Sequence, residues 1–509
     1  MRDLIKLAVV IGVFVFTVLG WAGGGYVGAV LGLTVATLAL VFPWRGQPLW
    51  SWLHLHLSRN RPIVLVDPVT VVNDRSGGGV RYQDGIAVAA IQVLGKPHQP
   101  TYFTGSTTIE TADNLDISSL LSEMHQSLGL TVDSISAISV GARRRATGDY
   151  PRVYDTLIGT PPCAGERETW LIIRVPSLDN GDALRWRSTV GTATLAAAQR
   201  IAMRLRCRGV RARVATASDI VELDRRLGII ALEPQNRRWH TVRGEGGWQT
   251  TYAYRPEDMN AATLAQAWSL RADGIIQNVT LFPDGQTSAT VTVRTAQPPT
   301  APPAVVLQSL PGEQARAIEA NLCGPRPELR GVSRGPVPGS LVIPVGASGV
   351  LLGKIFNGDQ LLLPLGDAGE QTRIHIAADD QIAKRIIIRA AAAGECITVH
   401  TNDPARWETV RMPHIVVTEH PRPASGTTVS VIDGTVPPAP RPGTVISVGV
   451  AGAKVHPAAD ILISQTGHDT IEIIIGEKHY EARMEFFRAE NRYVASEPIA
   501  LDAELEMVD

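Results

Sequence analysis

The feature that most constrains this chain is a long stretch without charge near its N-terminus. Between Leu7 and Trp44 there is no Asp, Glu, Lys or Arg. The region holds two apolar runs, one from Leu4 to Ala22 and one from Tyr26 to Phe42, with three glycines between them. At 1.5 Å per residue, helices of these lengths would reach about 28 and 26 Å, which nearly matches the roughly 30 Å hydrocarbon core of a bilayer. We therefore predict a hairpin of two transmembrane helices.

A secretory signal peptide is the alternative interpretation of the first run. Arg2 and Lys6 would supply the charged segment with which such a peptide begins. However, a second apolar run follows at once, and Trp21 and Tyr26 stand where aromatic residues at a membrane interface belong. These features favour two membrane-spanning helices.

The distribution of cations predicts the orientation of the hairpin. Arg2 and Lys6 precede the first run, and Arg45, Arg59 and Arg61 follow the second, whereas the connection between the runs has no cation. Because Lys and Arg are concentrated in cytoplasmic loops, both ends of the hairpin are expected in the cytoplasm. We predict a multi-pass protein of the cell inner membrane, with its N-terminus and its large C-terminal body in the cytoplasm.

Tryptophan is concentrated directly after the hairpin, at Trp44, Trp50 and Trp52. Indole rings are amphipathic and favour the headgroup level of a bilayer. We predict that these three residues are interfacial, in an amphipathic segment along the inner leaflet, with membrane lipid as a partner. A juxtamembrane helix that packs on the cytoplasmic body remains an open alternative.

The composition limits the classes of protein that fit. The chain has 48 Lys and Arg against 49 Asp and Glu, a net charge of −1. This balance excludes a strongly basic nucleic-acid-binding protein, so no nucleic-acid partner is predicted. Hydrophobic residues make up 44% of the chain, which is typical of a globular protein. The four cysteines are far apart in sequence and indicate no disulfide framework.

Proline-rich stretches at residues 297–303, 324–339 and 437–442 suggest boundaries, since such runs continue neither helices nor central strands. Helical periodicity is strong in residues 182–207 and 217–227, and these helices alternate with predicted strands.

The predicted fold class is α/β (α+β), a transmembrane hairpin followed by a mixed α/β body. Its predicted parts are the hairpin and juxtamembrane segment (1–62), a cytoplasmic α/β domain (63–296), a smaller degenerate α/β domain (304–412) and a β-rich C-terminal region (413–509).

A strand–turn–helix pattern at residues 373–393 is where a nucleotide-binding loop would be expected. Such a loop needs glycines, whose backbone N–H groups surround phosphate, and a lysine. The turn from Ala377 to Gln381 has neither, and it places Asp379 and Asp380 where phosphate would lie. We predict that this unit does not bind ATP and that Asp379 or Asp380 caps the helix.

Two other motifs have simpler interpretations. The segment from Gly349 to Ile355 resembles a phosphate-binding loop but lacks its final hydroxyl, which favours a hairpin or strand edge. The run from Arg143 to Arg145 suggests either a solvated loop or a contact with lipid or an acidic partner. We predict no catalytic residues, no cofactor-binding residues and no metal ligands.

The organisation described above resembles EccE, a membrane component of the actinobacterial type VII (ESX) secretion system. The similarity covers most of residues 1–410 and consists of architectural patterns. The segments that carry it are residues 196–214 (AAAQRIAMRLRCRGVRARV), 217–220, 251–254, 264–268, 310–312, 351–353, 389–392 and 399–401.

The resemblance implies a non-catalytic subunit of an inner-membrane secretion complex, without a cofactor. The partners that it implies are the membrane components EccB, EccC (the ATPase) and EccD, with the mycosin protease associated. A second class stays open at this point: a membrane-anchored transferase of the glycosyltransferase type, with an unrecognised site in the first α/β domain.

Overall fold

The structure is a computed structural model of the chain. It describes residues 2–41, 43–44, 47–48, 55–56, 61–73, 76–105, 107–111, 113–125, 129–185, 189–304, 306–452 and 459–495. Phe42, Trp50 and Trp52 lie outside the described residues, and Trp44 is described by its backbone alone.

The first element is a long apolar helix, α1 (Arg2–Val41). Its segment Val10–Thr37 is long and apolar enough to cross a membrane, and most of its large apolar side chains are exposed. Helical geometry is interrupted at Gly24 and Gly25, whose φ angles are −150° and +60°. The positive φ of Gly25 is one that residues with a Cβ rarely adopt, which explains why glycine stands at the interruption.

The remaining helices belong to the body that follows α1. The α-helices in chain order are α2 (Leu121–His125), α3 (Tyr150–Ile158), α4 (Gly181–Leu184), α5 (Val190–Cys207), α6 (Ala217–Leu227), α7 (Ala261–Gln266), α8 (Gln314–Glu319), α9 (Asp380–Ala393) and α10 (Asn491–Val494).

Most of the regular structure is strand. The first strands in chain order are β1 (Pro43–Trp44), β2 (Gln47–Pro48), β3 (Val69–Val72), β4 (Gly77–Gln83), β5 (Ile86–Leu94), β6 (Thr101–Phe103), β7 (Ile109–Thr111), β8 (Asn114–Asp116), β9 (Ser134–Ala142), β10 (Glu166–Pro176), β11 (Arg211–Val214), β12 (Val242–Gly244), β13 (Gly247–Tyr254) and β14 (Gly274–Leu281). The others are β15 (Gln286–Thr295), β16 (Leu307–Ser309), β17 (Gly335–Pro336), β18 (Val342–Pro344), β19 (Val350–Lys354), β20 (Gln360–Leu363), β21 (Thr372–Ala377), β22 (Ile397–Thr401), β23 (Ile415–Thr418), β24 (Val429–Asp433), β25 (Thr444–Gly449), β26 (Ile461–Gln465), β27 (Thr470–Ile475) and β28 (Lys478–Arg483).

The first large sheet is antiparallel and has the order β12-β13-β15-β14-β9-β10-β5-β4-β3, with β11, β16 and β17 attached at its sides. Helix α5 contributes to the apolar core on one face, and α6 to the core on the other. The central strands are therefore covered on both sides, which explains why all eight residues of β14 are buried.

Local signals place the two helices of this sheet. Helix α6 spans the residues predicted for it, and the Thr216 side chain accepts a hydrogen bond from the N–H of Asp219 at its start. The helix predicted over residues 182–207 begins later, at Val190. Thr189 caps it by accepting from the N–H of Thr192 at 3.0 Å, which fixes the start of the helix at this point.

The second large sheet has the order β23-β22-β24-β25-β21-β26-β27-β28-β19-β20-β6-β7. The strands from β23 to β26 in this order are parallel to one another, and the remaining pairs are antiparallel. Helix α9 joins β21 to β22 and packs on this sheet together with α3. This arrangement is the second α/β unit that residues 373–399 predict.

Strand pairing crosses the boundaries that the sequence suggests. Strands β6 and β7 come from the predicted first domain but extend the second sheet, whereas β16 and β17 come from the predicted second domain and join the first sheet. The predicted boundary between residues 412 and 413 falls inside the second sheet, because β23 pairs with β22. Prolines mark loops, but they do not reveal which distant strands pair.

The centre of the second core contains ionised groups. Glu490 is fully buried, and its carboxylate accepts two hydrogen bonds from the guanidinium of Arg389, each of 2.8 Å. The Tyr150 hydroxyl donates to the same carboxylate at 2.6 Å, and the Arg385 Nε lies 3.5 Å from it. Burial, and then the Glu490 charge, raise the pKa of Tyr150 well above its usual range. The network joins α3, α9 and the segment before α10.

We expect Glu490→Gln to destabilise the protein by about 3–5 kcal/mol, because it leaves two buried guanidinium groups without their counter-charge. At roughly 2–4 °C per kcal/mol, the melting temperature of the detergent-solubilised chain should fall by roughly 6–20 °C. The matched control is Glu408→Gln, which breaks an ion pair of 2.8 Å between exposed groups, Arg411 and Glu408. The control should change stability by less than about 1 kcal/mol. Equal melting temperatures of the two variants would contradict the role of the network.

Candidate functional site

The candidate site lies at the edge of the second sheet where its parallel strands end. In open α/β sheets, ligands bind outside the carboxyl ends of the strands, so this edge is where an active site or nucleotide site is expected. Here β21 ends at Ala377, β22 at Thr401 and β24 at Asp433. The loops that follow bring Asp379, Asp380 and Arg406 to the same edge.

Asp379 begins α9 in the way that the sequence predicts. Its carboxylate Oδ1 accepts a hydrogen bond from the N–H of Ile382 at 2.9 Å, which is the geometry of a helix cap. Gln465, at the end of β26, accepts from the N–H of Asp379 at 2.8 Å and donates to its Oδ2 at 3.1 Å. Two backbone N–H groups at this helix start, those of Asp379 and Ile382, therefore already donate within the chain.

Asp380 forms an ion pair with Arg406, which lies in the 3-10 segment Pro404–Val410. The Nη1 of Arg406 also donates to the Asp433 Oδ1 at 2.7 Å, so the guanidinium joins two carboxylates. The Trp407 indole N–H donates to the other oxygen of Asp433 at 2.6 Å. This network links the ends of β21 and β24.

The charges at this edge stabilise one another. The hydrogen bond from Arg406 holds the pKa of Asp380 below its ordinary value of 3.8, and that bond in turn raises the pKa of Arg406. Because the pKa of Asp380 is lowered on folding, its contribution to stability is present above pH 3.8 and is lost as the pH falls below that value. The network is therefore intact at neutral pH.

The other phosphate-loop candidate is a hairpin. The segment from Gly349 to Ile355 contains β19, which pairs with β20 in antiparallel register. Gly349 has a φ of +89°, and a Cβ there would collide with the backbone at Leu363, so the close approach of the two backbones requires glycine. The predicted hairpin is thus what the structure has at this position.

The run Arg143–Arg145 differs in exposure along its length: Arg143 is buried, whereas Arg144 and Arg145 are partly exposed. Arg143 is 1% exposed, and its guanidinium donates to the Asp155 carboxylate at 2.6 Å and to the carbonyl oxygen of Pro161 at 2.5 Å. The N–H of Arg145 donates to the carbonyl oxygen of Ala392 at 2.9 Å. The prediction of a solvated loop is wrong for Arg143, and the predicted contact of the run with lipid or an acidic partner stays a prediction. The run ties the end of β9 to α3 and α9, which no local pattern would reveal.

A second group of residues fixes the segment that enters the body from α1. The amide of Gln83 donates to the carbonyl oxygen of Val64 and accepts from the N–H of Val66, both at 2.9 Å. Arg81 also donates to the carbonyl oxygen of Val66, and it forms a buried ion pair of 2.7 Å with Asp224. Sequence reasoning missed these residues, since Arg81 and Asp224 are far apart in the chain.

Leu55 follows the tryptophan-rich stretch by only a few residues. Its side chain is nevertheless buried in the protein, with 2% of it exposed. His56 stands beside Trp239 of the body, with ring centroids 6.2 Å apart. The Arg237 guanidinium donates to the carbonyl oxygen of Arg61 at 2.6 Å. The described part of the segment from residue 55 to residue 66, which we call the juxtamembrane strap, is therefore packed on the first sheet.

Fold and site together define a membrane-associated α/β protein. Its described residues include one candidate membrane-spanning helix, and its own side chains fill the edge of the second sheet where ligands usually bind. Comparison with known proteins gives the family. The model of a family described as "Putative type VII ESX secretion system translocon, EccE" matches residues 163–254. The ESX-2 secretion system protein EccE2 of Mycobacterium tuberculosis (strain CDC 1551 / Oshkosh) is 48% identical over 523 residues, which cover 98% of this chain and 97% of that protein.

More distant relatives are also EccE proteins of ESX secretion systems. The ESX-1 secretion system protein EccE1 of Mycobacterium tuberculosis is 28% identical and covers 74% of this chain, with 77% of its own length matched. EccE1 of Mycolicibacterium smegmatis is 26% identical over 72% of this chain and 76% of its own length. The chain belongs to the EccE family of type VII secretion systems, which confirms the resemblance seen in its sequence. The match with EccE2 extends beyond residue 410, where the sequence patterns end.

We expect the full-length protein not to bind ATP, because Gln465 and two carboxylates occupy the start of α9. Calorimetric titration with millimolar ATP and Mg²⁺ should give no saturable heat. The double variant Asp379→Asn with Asp380→Asn should behave in the same way, since it removes the negative charge but supplies neither glycine backbone nor lysine. Saturable ATP binding by either protein would contradict this interpretation of the site.

Proposed function

We propose that the chain is a non-catalytic structural subunit of a type VII secretion complex in the cell inner membrane. It anchors a cytoplasmic scaffold beside the ATPase-containing core. The observation that carries this proposal is the filled edge of the second sheet, in a chain whose family consists of secretion-system components. Energy for transport would come from a partner. No contact among the described residues favours the transferase alternative.

The proposed partners are the EccB, EccC and EccD components, with the mycosin protease associated. The identity of 48% to a protein of the ESX-2 system, against 28% to one of the ESX-1 system, supports assignment to an ESX-2-type complex.

Within this function, we propose that α1 acts as a hairpin of two spans with both ends in the cytoplasm. The loss of helical geometry at Gly24 and Gly25 supports a reversal of direction there. A Cβ on Gly20 would collide with the carbonyl oxygen of Gly28, and a Cβ on Gly32 with that of Phe16. Residues eight apart would be about 12 Å apart along a straight helix, so these contacts need two arms packed against each other. Close packing at glycines is typical of helix pairs in membranes.

The topology is tested by cysteine labelling in cells. Gly24 is the site of choice, because a Cβ there meets no atom within 4 Å, whereas Gly25 has a positive φ. We expect Gly24→Cys, in a Cys207→Ala background, to react with a membrane-impermeant maleimide from outside. The matched reporter of the body is native Cys207, which is exposed and should be labelled only after the cells are lysed. The opposite pattern would contradict the proposed orientation.

We also propose that Trp44, Trp50 and Trp52 lie at the membrane interface and that the strap transmits their position to the body. The contacts of Gln83, Arg81 and Arg237 with residues 61–66 support a stiff connection.

Changing both Trp50 and Trp52 to Ala should remove large amphipathic anchors, and we expect less EccB, EccC and EccD to co-purify with the protein. Membrane insertion should persist, because the apolar runs are unchanged. The control is Leu178→Ala, at a side chain of the body that is 90% exposed. Equal recovery of partners with the two proteins would show that the tryptophans play no part in assembly.

A further inference from the structure

A cavity of about 210 Å³ lies where the juxtamembrane strap meets the body. One wall is formed by Leu55 and residues 61–63 of the strap, and the opposite wall by α8 and Arg238. At roughly 10–15 Å³ for each water molecule, the space admits a group much larger than water.

The lining of this cavity is strongly basic. Among the described residues, its lining has four guanidinium groups, those of Arg61, Arg237, Arg238 and Arg316, and one carboxylate, that of Glu319. Burial raises the pKa of Glu319, although Arg316 and Arg237 act in the opposite direction.

The arginines have different roles. Arg237 is structural, since its guanidinium donates to the carbonyl oxygens of Leu232 and Arg61 and so holds the strap in place. Within the described part of the chain, the guanidinium groups of Arg61 and Arg316 have no carboxylate within the 4.0 Å of an ion pair. Guanidinium groups favour phosphate, because their N–H donors match two of its oxygens. The cavity therefore offers donors that suit an anion.

The same cavity has an apolar side. Leu55, Pro62 and Ile63 line it, and all three follow the membrane-spanning helix closely in sequence. A free phosphate ion would gain nothing from this wall, whereas the glycerol and first methylene groups of a lipid would. Anionic lipids of the cytoplasmic leaflet attract basic groups at the surface, and basic pockets beside spanning helices bind their headgroups.

We propose that this cavity binds the phosphate group of an anionic phospholipid, with Arg61 and Arg316 as the principal donors. The proposal rests on the proposed function, because it needs the strap to lie at the inner leaflet. A lipid held between strap and body would fix the angle between the anchor and the scaffold.

The test uses the full-length protein in a non-ionic detergent, titrated with dihexanoyl phosphatidylglycerol, dihexanoyl phosphatidylcholine or inorganic phosphate. A ligand that binds only the folded state raises the melting temperature in a saturable way. We expect this shift with phosphatidylglycerol and not with the other two. The variant Arg61→Gln with Arg316→Gln should need at least tenfold more phosphatidylglycerol for the same shift.

The matched control is Arg225→Gln with Arg411→Gln, which removes the same charge from exposed arginines paired with Glu222 and Glu408. It should respond like the unmodified protein. If both double variants respond equally, or if inorganic phosphate matches phosphatidylglycerol, the lipid site is overturned. Arg61→Lys with Arg316→Lys keeps the charge, and a response between those of the unmodified protein and the Gln variant supports bidentate binding. Recovery of EccB, EccC and EccD with the Gln variant is measured separately, since loss of the lipid site alone should leave the complex assembled.

Discussion

The packing of helices on the second sheet depends on the hydrogen bonds that the buried Glu490 carboxylate accepts. It accepts hydrogen bonds from Arg389 of α9 and from Tyr150 of α3, two helices that are far apart in the chain. Arg389 also donates to the carbonyl oxygens of Leu351 and Glu485, so one guanidinium joins α9, β19 and the segment that precedes α10. Removing charges from water is unfavourable, and such a cluster persists because several partners satisfy it at once. It specifies one arrangement of these elements.

On the first sheet, a buried arginine likewise contacts several elements at once and holds the strap that follows α1. Arg81 contacts Val66 of the strap, the Asp224 carboxylate of α6 and the carbonyl oxygen of Cys323. Burial raises the pKa of Asp224, and the charge of Arg81 acts in the opposite direction within this pair. Its effect is geometric, because it determines where the strap lies relative to α6.

At the carboxyl ends of the parallel strands, side chains of the protein itself occupy the place where a ligand usually binds. Asp379 caps α9, and Gln465 contacts both its N–H and its carboxylate. Arg406 then forms ion pairs with both Asp380 and Asp433. In an open α/β sheet this place ordinarily receives a ligand. Here the carboxylates at this edge are engaged with Arg406 or Gln465.

Features that depend on neighbouring residues could be predicted from the amino-acid sequence alone. The apolar stretch near the N-terminus, the start of α9 at Asp379 and the span of α6 follow from hydrophobicity, periodicity and capping, which act within a few residues. The later start of α5 at Val190 shows that such signals compete, since its cap at Thr189 was overlooked within a longer periodic run. Only the tertiary structure decided that β6 joins the second sheet, that Arg143 is buried against Asp155, and that Arg406 reaches two carboxylates. Each of these depends on groups from distant parts of the chain, whose approach is set by the packing of whole sheets and leaves no local pattern.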